Sequence, residues 1–232
     1  MIRFSLFGVR VSIHPSLWLT LAVLGGVFGT ASMQHLFGVA LFIIAGFLCL
    51  LSHEMGHALT GRLLGGGEPE IYLAWLGGDC NNPDTRLTRL QGVLMTLAGP
   101  LTSLLTGALG VLLLCAYVGD MRVGGFLALH FMLGQVPAGA WELGSPAALM
   151  FFAFLTEVCA WWSVLNLLPV FPLDGGQIMH GLIDSPRRMH GVSLAVACVL
   201  TVFFLVLGLW LMALLMVALA CLNHRCRSHA PY

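Results

Sequence analysis

The sequence predicts an all-α polytopic membrane protein of five to six transmembrane helices. Three observations carry that reading. Hydrophobic residues make up 59% of the 232, against about 45–50% in soluble domains. Charged residues are 9%, against roughly 25%. The apolar residues also gather in runs of the ~20 residues that a bilayer-spanning helix needs. Mean hydropathy is +0.94. Ten charges of each sign cannot solvate the surface of a water-soluble domain this size, which excludes a soluble enzyme and a disordered chain. A net charge of zero leaves no basic field for phosphates, so no nucleic-acid partner is expected. Residues 1–232 read as a single transmembrane domain.

The runs follow in order. Residues 15–31 form a first, short span. Residues 36–64 form a second, 90–118 a third and 147–168 a fourth. Residues 126–133 are too few to cross. Residues 192–222 surround Gly208 and are long for one span but short for two. All ten basic residues are arginine, and their places orient the helices. An alternating path puts Arg3, Arg10, Arg62, Arg86, Arg89, Arg187 and Arg188 on one side, with Arg122 opposite. That side is cytoplasmic, in a bacterial-type inner (plasma) membrane. Arg225 and Arg227 in the tail favour a helical hairpin at 192–222 and so six spans, whereas the length of that run favours five. The seven cysteines lack CxxC spacing, and all but Cys80 and Cys226 read as small hydrophobes within apolar runs.

The second span carries His53-Glu54-Met55-Gly56-His57, an HExxH motif. Residues i and i+4 share a helix face one turn apart. Two imidazoles so placed converge on one zinc ion, and Glu54 reaches a water beside it as general base. Ionisable groups within a membrane helix are expensive and read first as functional. A catalytic zinc needs a third ligand and an open position. Glu157, Asp174, His130, His180 and Asp184 are the candidates. Asp174 stands out by its setting, Asn166-Leu-Leu-Pro169-Val-Phe-Pro172-Leu-Asp174-Gly175-Gly176. Two prolines three apart cannot continue a helix, and opened backbone at membrane depth is tolerated where it is buried in protein or lines a cavity.

With these two motifs in this order, the chain resembles the site-2 protease family of intramembrane zinc metalloproteases over about residues 10–185. His14-Pro15, Gly99-Pro100 and the segment from Glu70 to Gly78 are further matches. The resemblance implies one Zn2+ per chain, held by His53, His57 and Asp174, with Glu54 activating the water. Asn166 would sit near the scissile carbonyl. Ile71, Tyr72, Leu73, Ala74, Trp75 and Leu76 would form a short membrane-associated strand that pairs with an unwound substrate segment, turning at Gly77 and Gly78. The substrate would be a membrane protein, cut within or near a transmembrane segment in the lipid bilayer. Neither a PDZ nor a CBS domain is expected, so the chain looks like a minimal core. The competing reading is a membrane metal-ion transporter or metal sensor. No internal repeat supports it. A noncatalytic relative that binds a membrane helix is the third reading.

Overall fold

Val9, Val11 and Ile13 alternate with Arg10 and Ser12, and a strand turns every second residue to the same face. In the computed structural model, which describes residues 1–29, 32–75, 77–81 and 87–229, this run is strand β2 (Val9–Ile13), with its three aliphatic side chains buried. Strand β1 (Ile2–Leu6) pairs antiparallel with it, Leu6 opposite Val9. Phe7 and Gly8 make the turn at φ of 50° and 77°, the doubly positive pattern that matches hairpin twist. The sequence predicts no strand before residue 15. Two five-residue strands closed by Phe-Gly lack the usual Asn-Gly signal.

The described residues fall into two compact units, one from Met1–Arg86 and Ala98–Ser163, the other from Leu87–Leu97 and Val164–Tyr232. In the first, helix α1 (Pro15–Leu24) opens with proline at its start and the His14 side chain accepting from the Ser16 N–H at 3.2 Å. Ten residues reach about 15 Å, half the ~30 Å hydrocarbon core, so the first span expected at 15–31 is helical over a shorter stretch. Helix α2 (Met33–Leu63) starts at Ser32, whose hydroxyl caps His35 N–H at 3.1 Å. Strand β3 (Glu70–Ala74) then lies parallel to β2, Val11 opposite Ile71 and Ile13 opposite Leu73. Strand β4 (Gly77–Asn81) returns antiparallel, Leu73 opposite Gly78. The sheet order is β1-β2-β3-β4. Its inner face packs Val9, Val11, Ile13, Ile71 and Leu73 against Leu17 and Leu21 of α1 and Leu50, Met55 and Ala58 of α2. The Arg62 guanidinium donates to the Phe7 carbonyl at 2.8 Å, tying the hairpin tip to the end of α2.

Helix α3 (Arg89–Val118) runs through Pro100, and its part from Ala98 belongs to this unit. Helix α4 (Met121–Met132) is capped by Asp120 and absorbs most of the short apolar stretch at 126–133. Helix α5 (Pro146–Asn166) follows. Leu114, Leu127, Phe131 and Leu149 form a second core, and Ala45, Cys49, Leu155 and Cys159 a third.

The second unit contains helices α6 (Asp174–Leu182), α7 (Pro186–Val206) and α8 (Trp210–His229). The run at 192–222 is broken at Gly208, whose φ is 72°. Helix α8 folds back along α7, so that Ala197 shares a core with Met216 and Leu219. Among the described residues, α2, α3, α5 and α7 are long and apolar enough to cross a membrane.

Candidate metal centre

The HExxH spacing places His53 and His57 one turn apart near the end of α2, where they are 2% and 8% exposed. Their Nε2 atoms lie 3.1 Å apart. Two nitrogens on one tetrahedral zinc, each at 2.0–2.1 Å, would be separated by about 3.3 Å. The pair therefore fits a shared ion. The rings stand at 83° to each other, so the two nitrogens meet while the ring bodies diverge. His53 Nδ1 faces the Ser103 hydroxyl at 3.4 Å. Ser103 donates on to the Pro100 carbonyl at 3.0 Å and lies 2.7 Å from the Ser163 hydroxyl. A hydrogen kept on Nδ1 by Ser103 leaves the Nε2 lone pair for a metal. Trp162 stands edge-on to His53, with ring centroids 6.4 Å apart.

Two glycines hold this geometry open. A Cβ at Gly99 would run into the His57 imidazole, and one at Gly56 would run into the Ala98 carbonyl. Helices α2 and α3 thus approach backbone to backbone at the histidines. Glu54 is 5% exposed. A Cβ at Gly78 would strike its carboxyl group, so strand β4 lies directly on the glutamate.

The strand expectation needs correcting here. Ile71, Tyr72, Leu73 and Ala74 form β3, which is paired with β2 on one side and β4 on the other. Its backbone hydrogen bonds are used within the sheet, and Ile71 and Leu73 are core residues. It is not an edge that a substrate can join. Gly77 and Gly78 are the first residues of β4, an outer strand, rather than a turn. Trp75 makes the turn at a φ of 47°, its N–H donating to the Ser16 hydroxyl at 3.1 Å. Leu76 lies outside the described residues.

In the second unit, Asn166 is the last residue of α5 and Asp174 the first of α6, both buried. A carboxylate at a helix N-terminus is favoured by the unpaired N–H groups there. The loop between them contains a cis Phe171–Pro172 bond and folds back onto α6. A Cβ at Gly175 would meet the carbonyls of Leu167 and Leu168, and one at Gly176 the backbone of Val170 and Phe171. The two glycines after the aspartate are therefore packing requirements. Of the other candidates, His130 turns to the Phe126 carbonyl at 2.8 Å in its own helix. Asp184 is an exposed partner of Arg89 at 2.6 Å. His180 is exposed on α6, and Glu157 is half-buried on α5. Ser103, Ser163, His190, Ser193 and Asn223 were not singled out in the sequence. For the three serines, a hydroxyl within an apolar run was the available signal.

Comparison with known proteins places the chain among metalloproteases. A zinc metalloprotease of Methanocaldococcus jannaschii is 24% identical over 207 residues, covering 86% of this chain and 52% of that protein. A relative from Synechocystis sp. is 26% identical over 187 residues, covering 77% of this chain and 43% of its own length. The chain thus spans about half the length of the curated relatives it matches. The solved site-2 protease from Methanocaldococcus jannaschii shares the fold, with a TM-score of 0.56 at 19% identity, covering 100% of this chain and 97% of that one. With its long apolar helices, this is an integral membrane protein. The profile of Peptidase family M50 matches residues 41–210, a stretch that holds both motifs, and the chain belongs to that family.

Proposed function

We propose that this chain is an intramembrane zinc metalloprotease that hydrolyses peptide bonds within or near the transmembrane segments of membrane proteins. The observation that carries the reading is the buried His53–His57 pair, with Nε2 atoms 3.1 Å apart and Glu54 on the same turn of α2. One Zn2+ per chain would be held by His53, His57 and Asp174. Support for the third ligand is chemical: Asp174 is a buried carboxylate at the start of α6, and one carboxylate oxygen is a donor that can complete a two-histidine zinc site.

When bound, zinc supplies Lewis acidity to the scissile carbonyl and lowers the pKa of a water. Glu54 accepts the proton of the attacking water and returns it to the leaving amine as the C–N bond breaks. Asn166 offers an amide N–H to the developing oxyanion, a kind of donor worth about 2.7–4 kcal/mol in another hydrolase. A substrate helix must unwind to expose its carbonyls, and the extended segment then needs backbone partners. Support for β4 as that partner is its outer place in the sheet and the contact of Gly78 with Glu54.

Residues 1–232 act as one metalloprotease domain of five to six transmembrane helices, and the α7–α8 hairpin favours six. Arg3, Arg10 and Arg62 favour a cytoplasmic active site in a bacterial-type inner membrane. The transporter or sensor reading gains nothing from family membership.

The test uses purified full-length wild type, Glu54→Gln and Asp174→Ala in proteoliposomes with a transmembrane substrate. Zinc near one per chain is expected in wild type and Glu54→Gln, and its loss in Asp174→Ala. Cleavage should fall by at least about 10²–10⁴-fold in Glu54→Gln. Retained cleavage in that variant, or zinc indifferent to Asp174→Ala, overturns the proposal.

A further inference from the structure

Backbone polar groups outside helices and strands need partners when water is excluded. Phe171 is three residues ahead of Asp174, and side chains of α7 and α8 take both of its peptide groups. Its N–H donates to the Ser193 hydroxyl at 3.1 Å, and its carbonyl accepts from Asn223 Nδ2 at 2.7 Å. The same Asn223 Nδ2 donates its other hydrogen to Leu219 O at 2.9 Å. Asn223 Oδ1, an acceptor only, faces His190 Nδ1 at 2.9 Å, which therefore carries its hydrogen there. The His190 ring also stands edge-on to the Phe171 ring, with centroids 5.4 Å apart at 88°. Asn223 and Ser193 are fully buried.

Both hydrogens of the Asn223 amide and its oxygen thus have partners, in one orientation. On its other side Phe171 packs against Gly176 in the first turn of α6. The Gln177 side chain closes the same turn by donating to Pro172 O at 3.0 Å. The loop is held at one point by α7 and α8, and α6 is built on that point. A fully buried amide is expensive unless it is hydrogen-bonded. Leucine would fill the volume of Asn223 but could not hold a carbonyl.

We propose that Asn223, oriented by His190 and aided by Ser193, is a positioning residue for Asp174. It holds the Phe171 peptide and so sets where the first turn of α6 presents its carboxylate. The inference rests on Asp174 being a zinc ligand. It gives the last helix a part in the metal centre, although that helix carries none of the HExxH or Pro-Leu-Asp-Gly-Gly residues.

The experiment measures Zn2+ affinity by chelator competition, and the absorption spectrum with Co2+ in place of Zn2+, on full-length protein in detergent. The variants are Asn223→Ala, His190→Ala, His190→Gln, Ser193→Ala and Asp174→Ala. Elution volume and circular dichroism establish folding. Asn223→Ala should weaken Zn2+ binding about 10-fold or more and alter the Co2+ spectrum, with His190→Ala intermediate and His190→Gln, which keeps a donor toward Asn223, within about 3-fold of wild type. A folded Asn223→Ala with wild-type affinity and spectrum overturns the proposal and leaves Asn223 a packing role. If Asn223→Ala does not fold, wild-type affinity and spectrum in both His190→Ala and Ser193→Ala overturn it. Wild-type affinity in Asp174→Ala is a separate failure, that of the ligand reading itself.

Discussion

Gly78 touches the Glu54 carboxyl so closely that no side chain fits between strand and helix. In Gly78→Ala the glutamate must swing away or the strand must retreat. The expected result is a loss of cleavage rate of about 10²-fold or more with zinc per chain unchanged, read by single-turnover kinetics beside metal analysis. Wild-type turnover in that variant would mean that Glu54 tolerates displacement. Residues of this kind mark where reading from sequence stops. His53 and His57 are legible because a helix repeats every 3.6 residues and their spacing alone brings them together. Asp174 is legible because Pro169, Pro172 and two glycines forbid a plain helix before it. Gly78 reads as a turn, since Gly-Gly is a common turn signal. Its real constraint comes from an element more than 20 positions away. Ser103 carries no mark in an apolar run until the His53 ring is seen against it.

At the level of elements, the α7–α8 hairpin turns on Gly208. Its φ of 72° suits glycine, and nothing lies within 4 Å of where a Cβ would be. Gly208→Ala therefore strains the backbone without a clash. A cost of about 1 kcal/mol follows from forcing an alanine into that region. The melting temperature should drop by a few degrees with zinc content unchanged, as followed by thermal unfolding in detergent. An unchanged melting temperature would mean that the turn relaxes freely. Hydropathy locates this run but not its fold, because some 30 apolar residues satisfy neither one span nor two. The strands were harder still. The alternation at Val9, Val11 and Ile13 is plain once the sheet is known. Five residues of it weigh little beside runs of 20. The expected strand at 71–76 was rightly extended over Ile71–Ala74 and wrongly placed as an edge, because only the distant β2 reveals that β3 has neighbours on both sides.

For the whole molecule, the proposed ion links metal binding to stability. A ligand that binds the native state alone stabilises it by RT ln(1 + [L]/Kd), about 2.7 kcal/mol when the free ligand is 100 times Kd. Chelation should lower the melting temperature of wild type and of Glu54→Gln, and leave Asp174→Ala where it already lies. A chelator without effect on folded, zinc-loaded wild type would contradict that linkage. Membrane class and both motifs were open to reading from composition and spacing. The assembly of the small sheet was not, since β2 and β3 are separated by more than 50 residues and two helices.

The join between β2 and β3 also constrains the path of the chain. Arg10–Ile13 and Glu70–Leu73 are register partners. A hydrogen bond reaches about 3 Å and a hydrocarbon core is about 30 Å thick, so two hydrogen-bonded strands cannot lie on opposite faces of a bilayer. Whatever route is taken from Ile13 to Glu70, it ends on the face where it began. The number of crossings between those residues is even. Helix α2 is long enough for a full passage. If α2 crosses once, the residues ahead of it, α1 included, supply the opposite leg, although α1 alone is only about half a bilayer long. The parity of the N-terminal third thus follows from four residue pairs between two strands, with no appeal to where the arginines fall.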